Sequence, residues 1–278
     1  ETSVSHQAYE ASRLDDSETH KMLSKTYPYT ILITEDDDEV RCFLERELSP
    51  HFKTRTAANG KDALRVLEEE EISLVVSDVM MPEMNGFELC RMIKSQLPFS
   101  HIPVILLTAL TDERQRIFGI TGGADDYIQK PFHTDYVKIK IIHLLQERRK
   151  LRERLLEKLR DNKLLLSEPE KVESIDDAFL RKFAEQIEAV YADPEYNVEK
   201  LSETLGLSRG HLHRKIKELT GTSPVEFLRT YRLNKATQLL RQNAYTVSEV
   251  AYRTGFSSPA YFSKCFKAVY GVTPTEYQ

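Results

Sequence analysis

The chain has 278 residues, 40% hydrophobic and 30% charged, with a formal net charge of −5. That length suits about two domains of ordinary size. The apolar runs are strand-sized, well short of the roughly 20 apolar residues that a membrane span needs, and no signal peptide pattern opens the chain. Charge is unevenly spread. Residues 28–147 carry 21 Asp and Glu against 13 Lys and Arg, whereas residues 195–278 carry 7 against 12, so only the C-terminal part should be drawn to a polyanion.

Residues 1–28 are polar and read as a tail or interdomain linker, and the first residue, Glu1, is not Met, so a longer parent chain is expected. From Tyr29 the pattern alternates. "TILIT", "FKTRTAA", "ISLVVSD", "IPVILLTA" and "DDYIQ" read as strands. "DEVRCFLEREL", "GKDALRVLEEEE", "NGFELCRMIKSQ", "DERQRIFGIT" and "TDYVKIKIIHLLQERRK" read as helices. The apolar strands lack polar alternation, which predicts a doubly wound, five-stranded parallel sheet over residues 29–146 with both faces covered. Residues 147–175 form a helical linker. Leu144, Leu151, Leu155 and Leu159 approximate a seam, which fits one helix running on from the first domain or a dimer-stabilising helix. Ser167 to Ser174, with Pro169, reads as a connection.

From 176 to 278 no strand pattern occurs, and six helical runs follow one another. Gly206, Gly221, Gly255 and Gly271 stand as stop signals, and Ser208, Ser223, Ser248 and Ser258 stand near helix starts as caps. A short helix, a Gly turn, a longer helix and another Gly occur twice, which predicts two helix-turn-helix units. The three cysteines, Cys42, Cys90 and Cys265, lack metal-binding spacing and are expected to be buried small hydrophobes.

Glu35, Asp36, Asp37 and Asp38 follow the first strand, and Asp78 ends the third. In an open α/β sheet the C-terminal strand ends share one crevice. Carboxylates converging there repel unless a cation joins them, and an oxygen-only set suits Mg²⁺. Asp78 would be a nucleophile toward phosphorus, with Thr108 offering a hydroxyl and Lys130 a cation for phosphate. For Asp37, Asp38 and Glu39 the expected role is to complement a helix dipole.

Residues 29–146 resemble the receiver domains of two-component signalling, through "ILITEDDDEVR", "NGKDAL", "LVVSDVMMPEMNGFELC", "IPVILLTAL" and "GADDYIQKPF". The resemblance implies a flavodoxin-like fold. It implies metal ligation by Glu35, Asp36, Asp78 and the backbone carbonyl of Met80, phosphoacceptance by Asp78, and a switch through Thr108, Tyr127 and Lys130. Leu110 stands where many members carry Lys or Arg.

Two linked helix-turn-helix units can place two recognition helices in successive major grooves of double-stranded DNA. The first candidate helix, Ser208–Thr220, carries Arg209, His211, His213, Arg214, Lys215 and Lys217. The second, Ser258–Tyr270, carries Tyr261, Ser263, Lys264 and Lys267. Tyr231, Arg232 and Lys235 on the connecting helix are expected to pack rather than read bases. Residues 180–278 resemble the AraC/XylS type of DNA-binding domain, most specifically in "VSEVAYRTGFSSPAYFSKCFKAVYGVTPTEYQ". The resemblance places base-reading positions on Gly210, His213 and Arg214, and on Pro259, Ala260, Tyr261 and Lys264. Ser208 and Ser258 would hold phosphates at the helix starts.

The expected whole is a phosphorylation-controlled transcription regulator. Its partners would be DNA, a histidine kinase in the same parent chain, a second copy as homodimer, and RNA polymerase. Its place would be the cytoplasm, with no membrane contact by this part and an activating role. The alternatives are a stand-alone response regulator, a receiver acting only as a phosphate sink, and a metal-dependent enzyme on a small phosphorylated substrate.

Overall fold

A computed structural model gives the fold and describes residues 22–109, 123–160 and 174–278. The expected helix at "DERQRIFGIT", Leu110 and the connection around Pro169 lie outside the described residues, as do the side chains of Leu151, Leu155 and Leu159. The chain divides into two compact units, Glu1–Arg149 and Lys150–Gln278.

In the first unit, strands β1 (Thr30–Thr34), β2 (Lys53–Ala57), β3 (Leu74–Asp78), β4 (Val104–Thr108) and β5 (Asp126–Gln129) form one sheet in the order β2-β1-β3-β4-β5. All four pairings are parallel. Among the described residues, helices α1 (Asp38–Leu48), α2 (Gly60–Glu69), α3 (Gly86–Ser95) and α4 (Thr134–Arg160) alternate with the strands.

The period of two along each strand divides the core. Ile31, Ile33, Leu74, Val76, Ile105 and Leu107 form one cluster with Leu44 and Leu48 of α1 and Val137, Ile141 and Ile142 of α4. Leu32, Val75 and Leu106 form the other with Ala63 and Leu67 of α2 and Leu89, Cys90 and Ile93 of α3. Each Val, Leu or Ile side chain among them, fully buried, stabilises by about 1.5–3 kcal/mol.

Strand pattern and helix caps agree. Asp37 accepts from the amides of Glu39 and Val40, the dipole role expected of it, and Asn85 caps α3 in a capping box with Glu88. Helix α4 runs unbroken for 27 residues, so the helix that packs on the sheet continues through the start of the expected linker as far as Arg160.

Two expectations change here. Residues 22–28 are not a free tail: Met22 and Tyr27 pack against the first core cluster, and the Tyr27 amide donates to His51 O at 2.7 Å. Cys42 is exposed, because it falls on the side of α1 opposite the buried Leu44 and Leu48, whereas Cys90 and Cys265 are buried.

The second unit is helical: α5 (Ile175–Val190), α6 (Val198–Leu205), α7 (Arg209–Thr220), α8 (Pro224–Arg241), α9 (Val247–Arg253), α10 (Pro259–Tyr270) and a last turn, α11 (Pro274–Tyr277). The last was not foreseen, because four residues carry no periodicity. Ser208, Ser223 and Ser258 cap α7, α8 and α10 as expected. Ser248 does not cap: α9 starts two residues earlier, with Thr246 as its cap, whose hydroxyl accepts from the Glu249 amide. Gly206, Gly221 and Gly271 close their helices in the left-handed region. Phe183 and Phe227 meet edge-on at 4.7 Å in the first half of this unit, and Phe256, Phe262 and Phe266 belong to the core of the second.

Candidate functional site

Parallel strands deliver their C-terminal residues to one edge of the sheet. Glu35 and Asp36 follow β1, Asp78 ends β3, Thr108 ends β4 and Lys130 follows β5. The register fixes their level: Thr34 lies beside Ser77, Asp78 beside Leu107, and Thr108 beside Gln129. Carboxylate oxygens of Glu35, Asp36 and Asp78 all lie within 4.8 Å of one another. Glu35 and Asp78 are buried and Asp36 is exposed. Lys130 Nζ sits 2.7 Å from Asp78 Oδ1 and 2.9 Å from Glu35 Oε2. The other oxygen, Asp78 Oδ2, accepts from the Met80 amide at 2.9 Å.

Electrostatics follow from that placement. Burial raises the Glu35 carboxyl above its ordinary value, the hydrogen bond from Lys130 lowers it, and the Asp78 charge raises it again. Burial alone would lower the Lys130 ammonium, but its bonds to Asp78 and Glu35 raise it above the ordinary value. Burial pushes the Tyr127 phenol up to about 12. Tyr127 is half-buried against the second core cluster, beside Leu106 in the sheet, and Thr108 is half-buried two residues further along β4.

The loop after Asp78 is held by a close approach. A Cβ on Gly86, the first residue of α3, would lie 2.2 Å from the Asp78 carbonyl oxygen, so only glycine lets the helix start there. The sequence reading missed Arg41. One turn into α1, its Nη1 donates to the Glu35 carbonyl at 2.7 Å and to the Asp36 carbonyl at 3.3 Å, pinning the loop that carries both acids. Its one signal in the sequence is its place a helical turn beyond the acidic run.

The second unit carries the basic helices. On α7, Ser208, Arg209, Gly210, His213 and Lys217 are exposed and Arg214 is half-buried. Arg209 is drawn to Glu199 of α6 at 2.8 Å. On α10, Ala260, Tyr261, Lys264 and Lys267 are exposed, while Ser258 and Pro259 are half-buried. The Ser208 and Ser258 hydroxyls accept from the His211 and Tyr261 amides, so each caps its own helix.

Lys215 departs from its expected place on the basic face. It is fully buried, its Nζ 2.6 Å from Asp176 Oδ1 and 5.1 Å from the Phe179 ring centroid, because it falls on the packed side of α7 beside Leu212 and Ile216. Tyr231 is buried and Arg232 and Lys235 are engaged with α5 and the turn after it, as packing residues should be.

Comparison with known proteins bears on both units. Residues 31–142 match the response regulator receiver domain and residues 201–278 match a helix-turn-helix domain. A protein of Formosa agariphila named histidine kinase P4 is 37% identical over 265 residues, which are 95% of this chain and 19% of that protein. The transcriptional regulatory protein GltR of Pseudomonas aeruginosa is 43% identical over 118 residues, 42% of this chain and 49% of that protein. The solved signal receiver domain of a signal transduction histidine kinase from Syntrophus aciditrophicus is 38% identical with a TM-score of 0.41, covering 43% of this chain and 91% of that one. The chain thus spans about a fifth of the first relative and about half of the second.

Proposed function

The chain joins a response regulator receiver domain to an AraC-type helix-turn-helix domain, and we propose that it is a transcription regulator whose binding to double-stranded DNA is controlled by phosphorylation of Asp78. The observation that carries the reading is the Asp78 carboxylate at the sheet edge, one oxygen on Lys130 and the other on the Met80 amide.

The three carboxylates fit a hard cation. Three oxygen donors from separate residues lie close enough to share one ion, with Asp36 open to solvent. Glu35, Asp36 and Asp78 would hold Mg²⁺ together with the Met80 carbonyl. When bound, it would neutralise the phosphoryl oxygens of the donor and of the product.

The chain's own groups do the rest. An Asp78 oxygen forms a bond to phosphorus as the bond from phosphorus to the donor histidine nitrogen breaks, and the acyl phosphate keeps the phosphoryl group. Lys130 pairs with the new phosphoryl oxygens, and the Thr108 hydroxyl donates to them. Tyr127 follows Thr108 and so links the site to the outer face at β5.

On the DNA side, His213 and Arg214 of α7 and Tyr261 and Lys264 of α10 would face base edges, with Ala260 against a thymine methyl. Arg209 and Lys217 would meet phosphates, as would the amides at the starts of α7 and α10. Gly210 offers no side chain, and Pro259 and Ala260 offer no polar group, so readout concentrates on α7.

The long relative named a histidine kinase favours a kinase earlier in the same parent chain, and with it a cytoplasmic place for this part. We propose that the promoter-bound form is a homodimer that contacts RNA polymerase and activates transcription.

Labelling with a small phosphoryl donor and Mg²⁺ tests the site. The native chain should take up alkali-labile phosphate and Asp78→Asn none; undiminished labelling of the variant would overturn the assignment. Specific retardation of promoter duplexes separates a regulator from a phosphate sink.

A further inference from the structure

The two helix-turn-helix units share α8, whose Phe227 meets Phe183 of the first half and whose Leu233, Ala236 and Leu240 enter the core of the second. One shared helix leaves room for the halves to rock. A second connection closes that freedom, and it converges on Arg232. Its Nε donates to the Tyr191 carbonyl at 2.8 Å and its Nη2 to the Asp193 carbonyl at 2.7 Å, both in the turn that leads from α5 into α6. The same Tyr191 carbonyl abuts Gly255, in the turn between α9 and α10 of the second unit. A Cβ there would lie 2.1 Å from that oxygen and 2.8 Å from Arg232 Nε, and the backbone φ is +78°.

One turn along α8, Lys235 reinforces the grip, 2.8 Å from Glu188 Oε1 and 5.4 Å from the ring centroids of Tyr191 and Tyr231. Thr254, next to Gly255, is fully buried and its hydroxyl is spent on the Val250 carbonyl, so the α9–α10 turn cannot slide to relieve a crowded neighbour.

Resting on the DNA-binding reading, we propose that Arg232 and Gly255 form a clasp that sets the angle between the two helix-turn-helix units, and with it the separation of the two half-sites that one chain accepts on duplex DNA. Arg232 is a positioning residue: it is placed to act through the carbonyls of the α5–α6 turn. Two recognition helices reach successive major grooves only if held roughly 34 Å apart. A rigid pair therefore selects one spacing, and a loose pair accepts several at lower affinity because the competent geometry is a smaller fraction of the ensemble.

The test has two arms, both on the full chain in a Cys42→Ser background. In the first, without DNA, spin labels at Lys217→Cys and Lys267→Cys report the distance between α7 and α10. The clasped chain should give one narrow distribution. Arg232→Met should widen it about twofold at unchanged helix content, and Arg232→Lys, which keeps the charge and one bond, should fall between. Should Arg232→Met lose helix, the Arg232→Lys comparison carries the test. Equal widths in all chains overturn the clasp.

In the second arm, each chain selects from a pool of random-sequence duplexes. The native chain should enrich paired half-sites at one separation, and Arg232→Met the same half-sites at several. An unchanged single separation in the variant overturns the spacing role. Enrichment of no sequence by any chain, with the distance distributions still distinct, sinks the DNA-binding reading while the clasp stands.

Discussion

Lys215 gives the sharpest prediction about how the recognition helix is held. Its ammonium is fully buried and bonded at 2.6 Å to Asp176, whose side chain is 21% exposed, and it lies over Phe179. Removing one partner of a buried ion pair leaves the other uncompensated and costs about 3–5 kcal/mol. Asp176 reaches water, so Lys215→Ala should fall near the lower end for the charge, and the void left by the four-carbon stem adds to it. A total of about 3–4 kcal/mol follows. Asp176→Asn strands the buried cation instead and should cost about 3 kcal/mol. Lys215→Met combined with Asp176→Asn fills the same space and removes both charges with their desolvation penalty, so the double variant should stay within about 1.5 kcal/mol of the native chain. Hydrogen exchange under increasing urea, read on peptides of α7 and α10, measures these differences for the second unit apart from the first. Lys215→Ala costing less than about 1 kcal/mol, with no gap to the double variant, would mean that the side chain reaches solvent like any surface lysine, and the reasoning would fail.

Two further outcomes are expected. Burial alone would raise the Asp125 carboxyl, but Lys94 at 2.6 Å and Arg148 at 2.9 Å more than offset that and hold it below the usual 3.8. A carboxyl more acidic in the folded than in the unfolded state stabilises fully above its unfolded value and loses that contribution as pH falls through its folded value. The first unit should therefore lose stability below about pH 4, and Asp125→Asn should flatten the acid limb of a circular dichroism titration; an unchanged limb counts against the network. On DNA, Lys217→Ala should reduce the slope of log affinity against log salt by about 1, the effect of losing one ammonium from a phosphate, whereas Arg214→Ala should cost about 1–3 kcal/mol and relax sequence preference at one position; identical salt slopes for Lys217→Ala and the native chain exclude the phosphate contact.

Sequence and structure agree where a residue's job is dictated by the chain's own geometry. A strand period of two, a helix that follows each strand and an acid at a strand end together place Glu35, Asp36, Asp78, Thr108 and Lys130 at one edge before any coordinate is known, because parallel strands of similar length must end together. Capping residues are legible for the same local reason, and the exception, Ser248, failed by half a turn because Thr246 competes for the same helix start.

What stayed hidden depends on pairs far apart in the chain. Lys215 and Asp176 are 39 residues apart, and Arg232 and Tyr191 are 41. Helical spacing puts Lys215 on the side of Leu212 and Leu219, unlike Lys217, which is exposed two residues on, but nothing near it in the chain names the anion that it meets. The repeat itself holds the missing signal. Gly221 and Gly271 each close a recognition helix, and counting back from them brings Lys215 into register with Cys265, a buried position in the second unit. A lysine that occupies a core position in one copy of a repeated unit has to find an anion from outside that unit, since burying an unpaired ammonium is too costly. Helix α5 precedes the first helix-turn-helix and supplies that anion in its first turn, so the charge on Lys215 ties the recognition helix to the element through which the chain enters the DNA-binding domain.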